Sequence, residues 1–227
     1  MCTRYIPPEM AEIERFWGLP RGHQPDLWPR EIFPRAPGPF IRRRRDAVGY
    51  ERELVVGQWG LIPWFAKEPK LKYSTNNARS EELEAKASFK DPWRRGQRCI
   101  IPAASFDEPN WETGKNIWWR FRRADGAPWG LAGLWNTWTD KANGEVHESY
   151  TMLMVNADAD PLMSRMHKPD PKVAPDKQDK RSPIPLDPSD FDQWLEGTVE
   201  QARGLMRLGP TEVFDAEPQE PEQKALV

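Results

Sequence analysis

Proline occupies 24 of the 227 positions in this chain, about twice its usual share of roughly 5%. Each proline fixes φ and removes a backbone donor, so regular structure is confined to short elements joined by stiff loops. Twelve tryptophans supply the large side chains around which such elements can pack. The chain is long enough for one large domain or two small ones, and for a real core. Hydrophobic residues make up 38% and charged residues 30%. This composition excludes collagen-like, coiled-coil and disulfide-scaffold classes.

The longest apolar runs, such as Trp59–Phe65 and Thr151–Val155, fall far short of the ~20 residues a spanning helix needs. The opening residues Met1, Cys2, Thr3, Arg4 and Tyr5 carry no apolar stretch of a secretory signal. Two cysteines, Cys2 and Cys99, make no disulfide framework and no CxxC pair, which points to a reducing cytosol and away from structural zinc. The net charge of −2 hides an asymmetry. Residues 1–123 carry 23 Lys+Arg against 16 Asp+Glu, whereas residues 124–227 carry 10 against 19. A basic half suits a polyanionic partner even in a slightly acidic chain.

Met10, Ile13 and Trp17 share one face of an expected helix over Pro7–Trp17, with the prolines in its first turn. Pro20–Pro39 reads as an extended loop, and Val48–Leu61 as a strand ending before Pro63. Glu, Ala and Leu predict a second helix over Arg79–Ala87. Strands are expected at Arg98–Ile101, Asn116–Arg122, Trp129–Trp135 and Ser149–Asn156, with a hairpin turn at Asn143-Gly144. A charged surface loop over Lys168–Lys180 follows, then short helices at Pro188–Leu195 and Thr198–Met206. Strands with scattered helices and no βαβ alternation predict a single α+β domain over residues 1–210. Residues 211–227 are read as a disordered tail, polar and proline-containing from Asp215.

Cys2 is the most informative residue. Removal of the initiator methionine would leave an α-amine and a thiol on one residue, a 1,2-aminothiol. An α-amine titrates near 7.7–8.0, so roughly a tenth or more is unprotonated at neutral pH. Such an amine attacks an aldehyde to give a Schiff base, and the neighbouring thiol then closes a five-membered thiazolidine. No lysine or internal cysteine can do this.

The opening "MCTRY", "WGLIPW" (Trp59–Trp64), "NNARSEE" (Asn76–Glu82) and "RCIIPAASFDE" (Arg98–Glu108) together resemble the SRAP family, the SOS-response-associated peptidases or abasic-site processing proteins, over about residues 1–195. The resemblance implies a strand-rich, barrel-like mixed and antiparallel core with short peripheral helices. It implies loss of Met1 and a covalent thiazolidine crosslink from Cys2 to abasic sites in single-stranded DNA, which shields the lesion. Matching motifs carry over Asn77 from "NAR", Glu108 after the "IPA" segment, and His167 as catalytic companions of Cys2. The same matching carries over Arg4 and Arg79 as phosphate-holding residues and Trp64 and Phe65 as aromatics near the DNA. A carboxylate and an imidazole suit the proton transfers of such chemistry, guanidinium forks suit phosphate, and aromatic rings suit bases. His23 and His147 receive no role.

The chain departs from the family pattern in places. Thr3 stands where glycine is usual, and "AASFDEP" replaces "ADGFYEW", so Asp107 competes with Glu108. "HKP" with an inserted charged stretch replaces "HxRMP", leaving Arg181 or Lys168 for the family's arginine. The four-arginine run Arg42–Arg45 would alternate faces in a strand. Trp118, Trp119 and Phe121 read as packing residues and Cys99 as an inert core thiol. The expected protein is a cytoplasmic monomer, nucleoid-associated when bound, with abasic single-stranded DNA as partner, no membrane contact, and no metal or organic cofactor. Possible lyase and autoproteolytic activities accompany that reading. Its rivals are a thiol (auto)peptidase built on Cys2, His167 and Asn77, and a non-catalytic single-stranded-DNA-binding module.

Overall fold

The β-branched and aromatic runs of the sequence form strands that close on themselves. The computed structural model describes residues 1–20 and 27–219. Its strands are β1 (Arg4–Ile6), β2 (Pro37–Arg43), β3 (Arg52–Trp59), β4 (Asn77–Arg79), β5 (Arg98–Ala103) and β6 (Ser105–Asn110). They continue as β7 (Ile117–Arg123), β8 (Trp129–Thr139), β9 (Val146–Asn156), β10 (Arg181–Pro183), β11 (Pro185–Leu186) and β12 (Phe214–Pro218). Helices α1 (Met10–Trp17), α2 (Ala87–Arg94), α3 (Phe191–Glu196) and α4 (Val199–Gly204) lie around them.

Strands β9, β3, β2, β5 and β8 pair in that order, and β8 pairs back onto β9, closing a five-stranded barrel. Closure leaves these strands no free edges. The β3–β9 pairing is parallel, as is the β4–β9 pairing, and the rest of the barrel is antiparallel. The architecture is thus the expected α+β domain with a barrel core. A second sheet of order β1-β6-β7-β12 flanks it. Phe106 and Phe121 stack at 5.1 Å between its two central strands, with Trp129 from the barrel tilted against Phe106. Tyr5 ties β1 to the barrel: its ring meets Trp59 edge-on at 5.1 Å and its hydroxyl pairs with that of Tyr150 at 2.5 Å.

Several sequence expectations shift in detail. The helix expected over Arg79–Ala87 is not there. Asn77–Arg79 pairs with Met152–Met154, a 3-10 turn covers Ser80–Glu82, and α2 starts only at Ala87. Helix propensity of a few tenths of a kcal/mol per residue yields to strand pairing against a buried partner. Strand β2 begins inside the expected loop, because Pro37 and Pro39 lie where β3 is its only neighbour; β5 joins at Ile41 and Arg42. Residues 21–26 of that loop, with His23, lie outside the described residues. The tail expected from residue 211 forms a 3-10 turn and then β12, which pairs with β7 and packs Phe214 on Trp129 at 5.1 Å. One aromatic anchor and a free strand edge suffice to order it, and the tail beyond Gln219 lies outside the described residues. The Asn143-Gly144 turn joins β8 to β9, with Gly144 at φ 78°.

Gly133 on β8 faces Cys99 and Met152 across both neighbouring strands. A Cβ there would sit 2.8 Å from the Thr151 carbonyl oxygen and 2.9 Å from Cys99 Sγ. Gly133→Ala is therefore expected to destabilise the barrel by about 1–3 kcal/mol. In urea titration the midpoint should fall with an unchanged m-value.

Candidate functional site

Strand β6 has no apolar alternation, yet five of its six residues are buried. Two consecutive acids on it point to opposite faces. Asp107 stands directly between Arg4 on β1 and Arg120 on β7. Arg120 grips it with both prongs at 2.9 and 3.0 Å, and Arg4 Nε lies 3.2 Å away. Asp107 is thereby engaged by two guanidiniums. Glu108, fully buried, turns to the other side and meets His167 Nε2 at 2.8 Å.

Pairing of Arg4 with Asp107 brings Cys2, two residues before β1 begins, near Glu108. Cys2 is fully buried, and its thiol donates to the Arg4 carbonyl at 3.4 Å. Its own carbonyl accepts from Asn77 Nδ2 at 2.6 Å and from Asn76 Nδ2 at 3.3 Å. Both amides of the "NNAR" segment thus hold the same peptide group, where sequence reasoning selected only Asn77. Burial, and next the negative charge of Glu108, push the Cys2 thiol well above its ordinary range. Two buried acceptors in this cluster, Glu108 Oε1 and Asn77 Oδ1, have no hydrogen-bond partner within the protein. Buried polar atoms without partners are rare, so a pair of them marks a place prepared for a donor.

His167 is set in the left-handed region, at φ 64°, a conformation histidine tolerates better than most residues. Its N–H donates to the Pro109 carbonyl at 2.6 Å. The ammonium of Lys180, itself 7% exposed, donates to the carbonyls of Met166 and His167 at 2.6 and 2.7 Å. Lys180 thus holds the backbone on either side of the His167 nitrogen, a contact that the sequence did not reveal. It lies in a run of charges that reads as solvated surface, and lysine burial leaves no periodic signal. Arg181 beside it is also buried, held by Asp179 and, at 2.6 Å, by Glu81. Lys168 lies elsewhere, its ammonium 5.1 Å from the Trp111 ring centre.

The residues expected to bind DNA divide. Arg4 is engaged by Glu31 at 2.5 Å and Asp107, and Arg79 by Asp179 at 2.5 Å and Glu82 at 3.3 Å. Trp64 and Phe65 stand out of the surface at 65% and 41% exposure, their rings edge-on at 5.6 Å. Neither lines the cavity of about 330 Å³ that opens beside Thr3, Asn76 and Arg35. A second cavity of about 500 Å³ lies on the outer side of His167, between Trp111 and the proline-rich loop that ends at Lys180. Among the described residues no three His, Cys, Asp or Glu side chains converge as a metal set.

Residues 1–220 match the model of a protein family described as SOS response associated peptidase (SRAP). The chain is 31% identical over 150 residues to the abasic site processing protein HMCES of Xenopus tropicalis, covering 57% of this chain and 44% of that protein. It is 32% identical over 142 residues to the abasic site processing protein YoqW of Bacillus subtilis, covering 61% and 62%. A crystal structure of a protein from Bordetella bronchiseptica matches with a TM-score of 0.84 and 34% identity, covering 97% of this chain and all of that one (100%). The chain spans about half the length of the first curated relatives it matches, 44% and 56%.

Both cysteines are fully buried with thiols pushed upward. A higher thiol pKa means less thiolate at any given pH, and thiolate is the form that alkylates. In the chain that retains Met1, iodoacetamide near neutral pH should label neither Cys2 nor Cys99 until denaturant is added. Rapid native labelling of Cys2, read by peptide mass, would contradict the packing described.

Proposed function

With membership of the SOS response associated peptidase family as premise, for the chain belongs to it over residues 1–220, we propose that this protein processes abasic sites in single-stranded DNA by crosslinking to them through Cys2. The name that its relatives from Xenopus tropicalis and Bacillus subtilis carry supports the lesion. The observation that carries the reading is the Cys2 thiol buried beside the Glu108–His167 pair, with two unpartnered acceptors around it.

Removal of Met1, which is 50% exposed, frees the Cys2 amine. The amine adds to the aldehyde carbon of the ring-opened sugar, giving a carbinolamine. Loss of its hydroxyl as water leaves a Schiff base. Cys2 Sγ then bonds to the same carbon, and the thiol proton passes to Glu108. The sum is aldehyde plus aminothiol giving thiazolidine plus water, with no change of oxidation state. Glu108 and His167, at 2.8 Å, relay the protons that the carbinolamine step takes up and releases. Asn77 and Asn76 hold the Cys2 carbonyl, so amine and thiol present one face to the incoming carbon.

The raised thiol also weighs against a thiol peptidase. That mechanism needs a thiolate at the outset, and burial with Glu108 nearby favours the protonated form. Ring closure places no such demand, because the proton leaves as the bond forms. Among the described residues no helix is long and apolar enough to cross a membrane; the proposed DNA substrate is what supports a place in the cytoplasm and nucleoid.

The test is a single-stranded oligonucleotide with one abasic site, resolved on a denaturing gel. A denaturant-resistant shifted band is expected, absent in Cys2→Ala and in a chain with extra amino-terminal residues. A band that survives Cys2→Ala would mean a lysine Schiff base. Peptide cleavage by the extended chain would favour the peptidase, since a blocked amine does not stop a thiol. No band from a chain shown by intact mass to lack Met1 would overturn the crosslinking reading. Glu108→Gln and His167→Gln are each expected to slow crosslinking about 10²-fold or more. Lys180→Met should slow it too, but add little in a His167→Gln background, since the two act as one unit. Additive losses would show that Lys180 does not act through His167.

A further inference from the structure

The end of the barrel away from Cys2 carries a concentration of positive charge that the crosslinking chemistry does not use. Strand β2 starts beside the Thr3 cavity, where Arg35 and Ala36 bond to Trp59, and runs to Arg43. Six steps of about 3.3 Å put Arg43 roughly 20 Å from Pro37. There a cavity of about 490 Å³ is lined by Arg43 at the end of β2, Arg44 and Arg45 just after it, Arg94 and Arg95 at the end of α2, and Arg98 at the start of β5. Three separate segments of the chain thus deliver six guanidiniums to one concavity.

Little negative charge answers them. Glu196 is the one carboxylate among the lining residues, and it pairs with Arg43 at 3.1 Å. Arg44 reaches Glu51 at 3.1 Å outside the lining. Arg45 donates to the Thr137 hydroxyl at 3.2 Å and stands over the Trp135 ring at 5.5 Å. Arg94 and Arg95 are exposed and have no ion pair or hydrogen bond from their side chains among the described residues. Arg98 is 3% exposed, yet its guanidinium meets the carbonyls of Trp194 and Gly197 and the Trp194 ring, and among the described residues no carboxylate. Arg42, by contrast, turns to Glu53 and Glu148 and is neutralised there. A buried guanidinium without a carboxylate, and two free ones at the mouth, repel one another until an anion joins them.

We propose that this cavity is a second phosphate-binding site, one that takes the phosphodiester backbone of a nucleic-acid strand. Guanidinium forks match phosphate oxygens two at a time. The arginines are spread across an open mouth from three segments, which suits a chain of phosphates better than a single one. The choice of nucleic acid as the polyanion rests on the DNA-processing reading; the choice of phosphate does not. Strand held here is held apart from Cys2, so the site adds affinity without touching the crosslinking step.

The experiment is fluorescence anisotropy with a long, undamaged single-stranded oligonucleotide, titrated at several salt concentrations in a Cys2→Ala background. The variant replaces Arg44, Arg45, Arg94 and Arg95 together by glutamine; all four side chains are exposed, and a second variant replaces them by lysine. The glutamine variant should bind at least about tenfold more weakly, with the slope of log affinity against log salt reduced by about 0.7 for each phosphate that is no longer neutralised. The lysine variant should recover most of that slope. Crosslinking to a short abasic oligonucleotide should proceed equally in both, provided Cys2 is restored. Wild-type affinity and slope in the glutamine variant would overturn the proposal. Pyrophosphate that raises the Tm of the parent but not of the glutamine variant, with DNA binding unchanged, would assign the cavity to small phosphates and refute the nucleic-acid partner. Arginine-dependent DNA binding by a protein that forms no crosslink would leave this site standing while the reading of Cys2 fails.

Discussion

Arg4, Asp107 and Arg120 stand side by side on three neighbouring strands, and that charge-paired ladder fixes the beginning of the chain against β6. A buried carboxylate between two guanidiniums is specified sharply: its burial is tolerable only with both partners in place. A shift of one residue in the β1–β6 register would set Arg4 opposite Glu108 or Phe106 and leave Asp107 with Arg120 alone. The same alternation that locks Asp107 therefore aims Glu108. Tyr5 adds a second lock, since its hydroxyl and ring engage Tyr150 and Trp59 inside the barrel. Cys2 sits deep because these contacts leave its segment no other course.

His167 is placed by a similar economy of means. Its N–H bonds to the residue after Glu108, and Lys180 satisfies the carbonyls on its other side. A left-handed backbone at a non-glycine residue is held only where the surroundings determine it. Here the loop after His167 provides the means, because it returns the chain to the site at Lys180.

Much of the fold was legible. Val, Ile, Trp and Tyr marked the barrel strands, and Asn143-Gly144 marked a hairpin turn, because these signals report a half-buried pleated surface and a positive φ. Strand β6 was illegible for the opposite reason. Asp107, Glu108 and Asn110 are polar residues in buried positions, and a functional strand breaks the pattern that reveals ordinary ones. Arg79–Ala87 misled because local propensity is weak beside pairing with β9. In the site, "MCTRY", "NNAR" and "SFDE" singled out Cys2, Asn77 and Glu108, and the structure sets these beside one another with His167. Asn76 and Lys180 escaped notice, since a donor to a backbone carbonyl needs no distinctive neighbour in sequence. Arg4 and Arg79 are held by Asp107 and Asp179, each about 100 residues off in the chain, contacts that no local pattern announces.

The β1–β6 pairing also has a consequence in time. Its partners lie about 100 residues apart in sequence, so until β6 has been synthesised β1 has only the isolated bridge from Tyr5 to Ile32 to pair with. At roughly 5–20 residues per second, that delay is on the order of 5–20 s. Throughout it the segment around Cys2 is an open peptide, available to any enzyme that trims amino termini. Once β6 arrives, the thiol is sealed in.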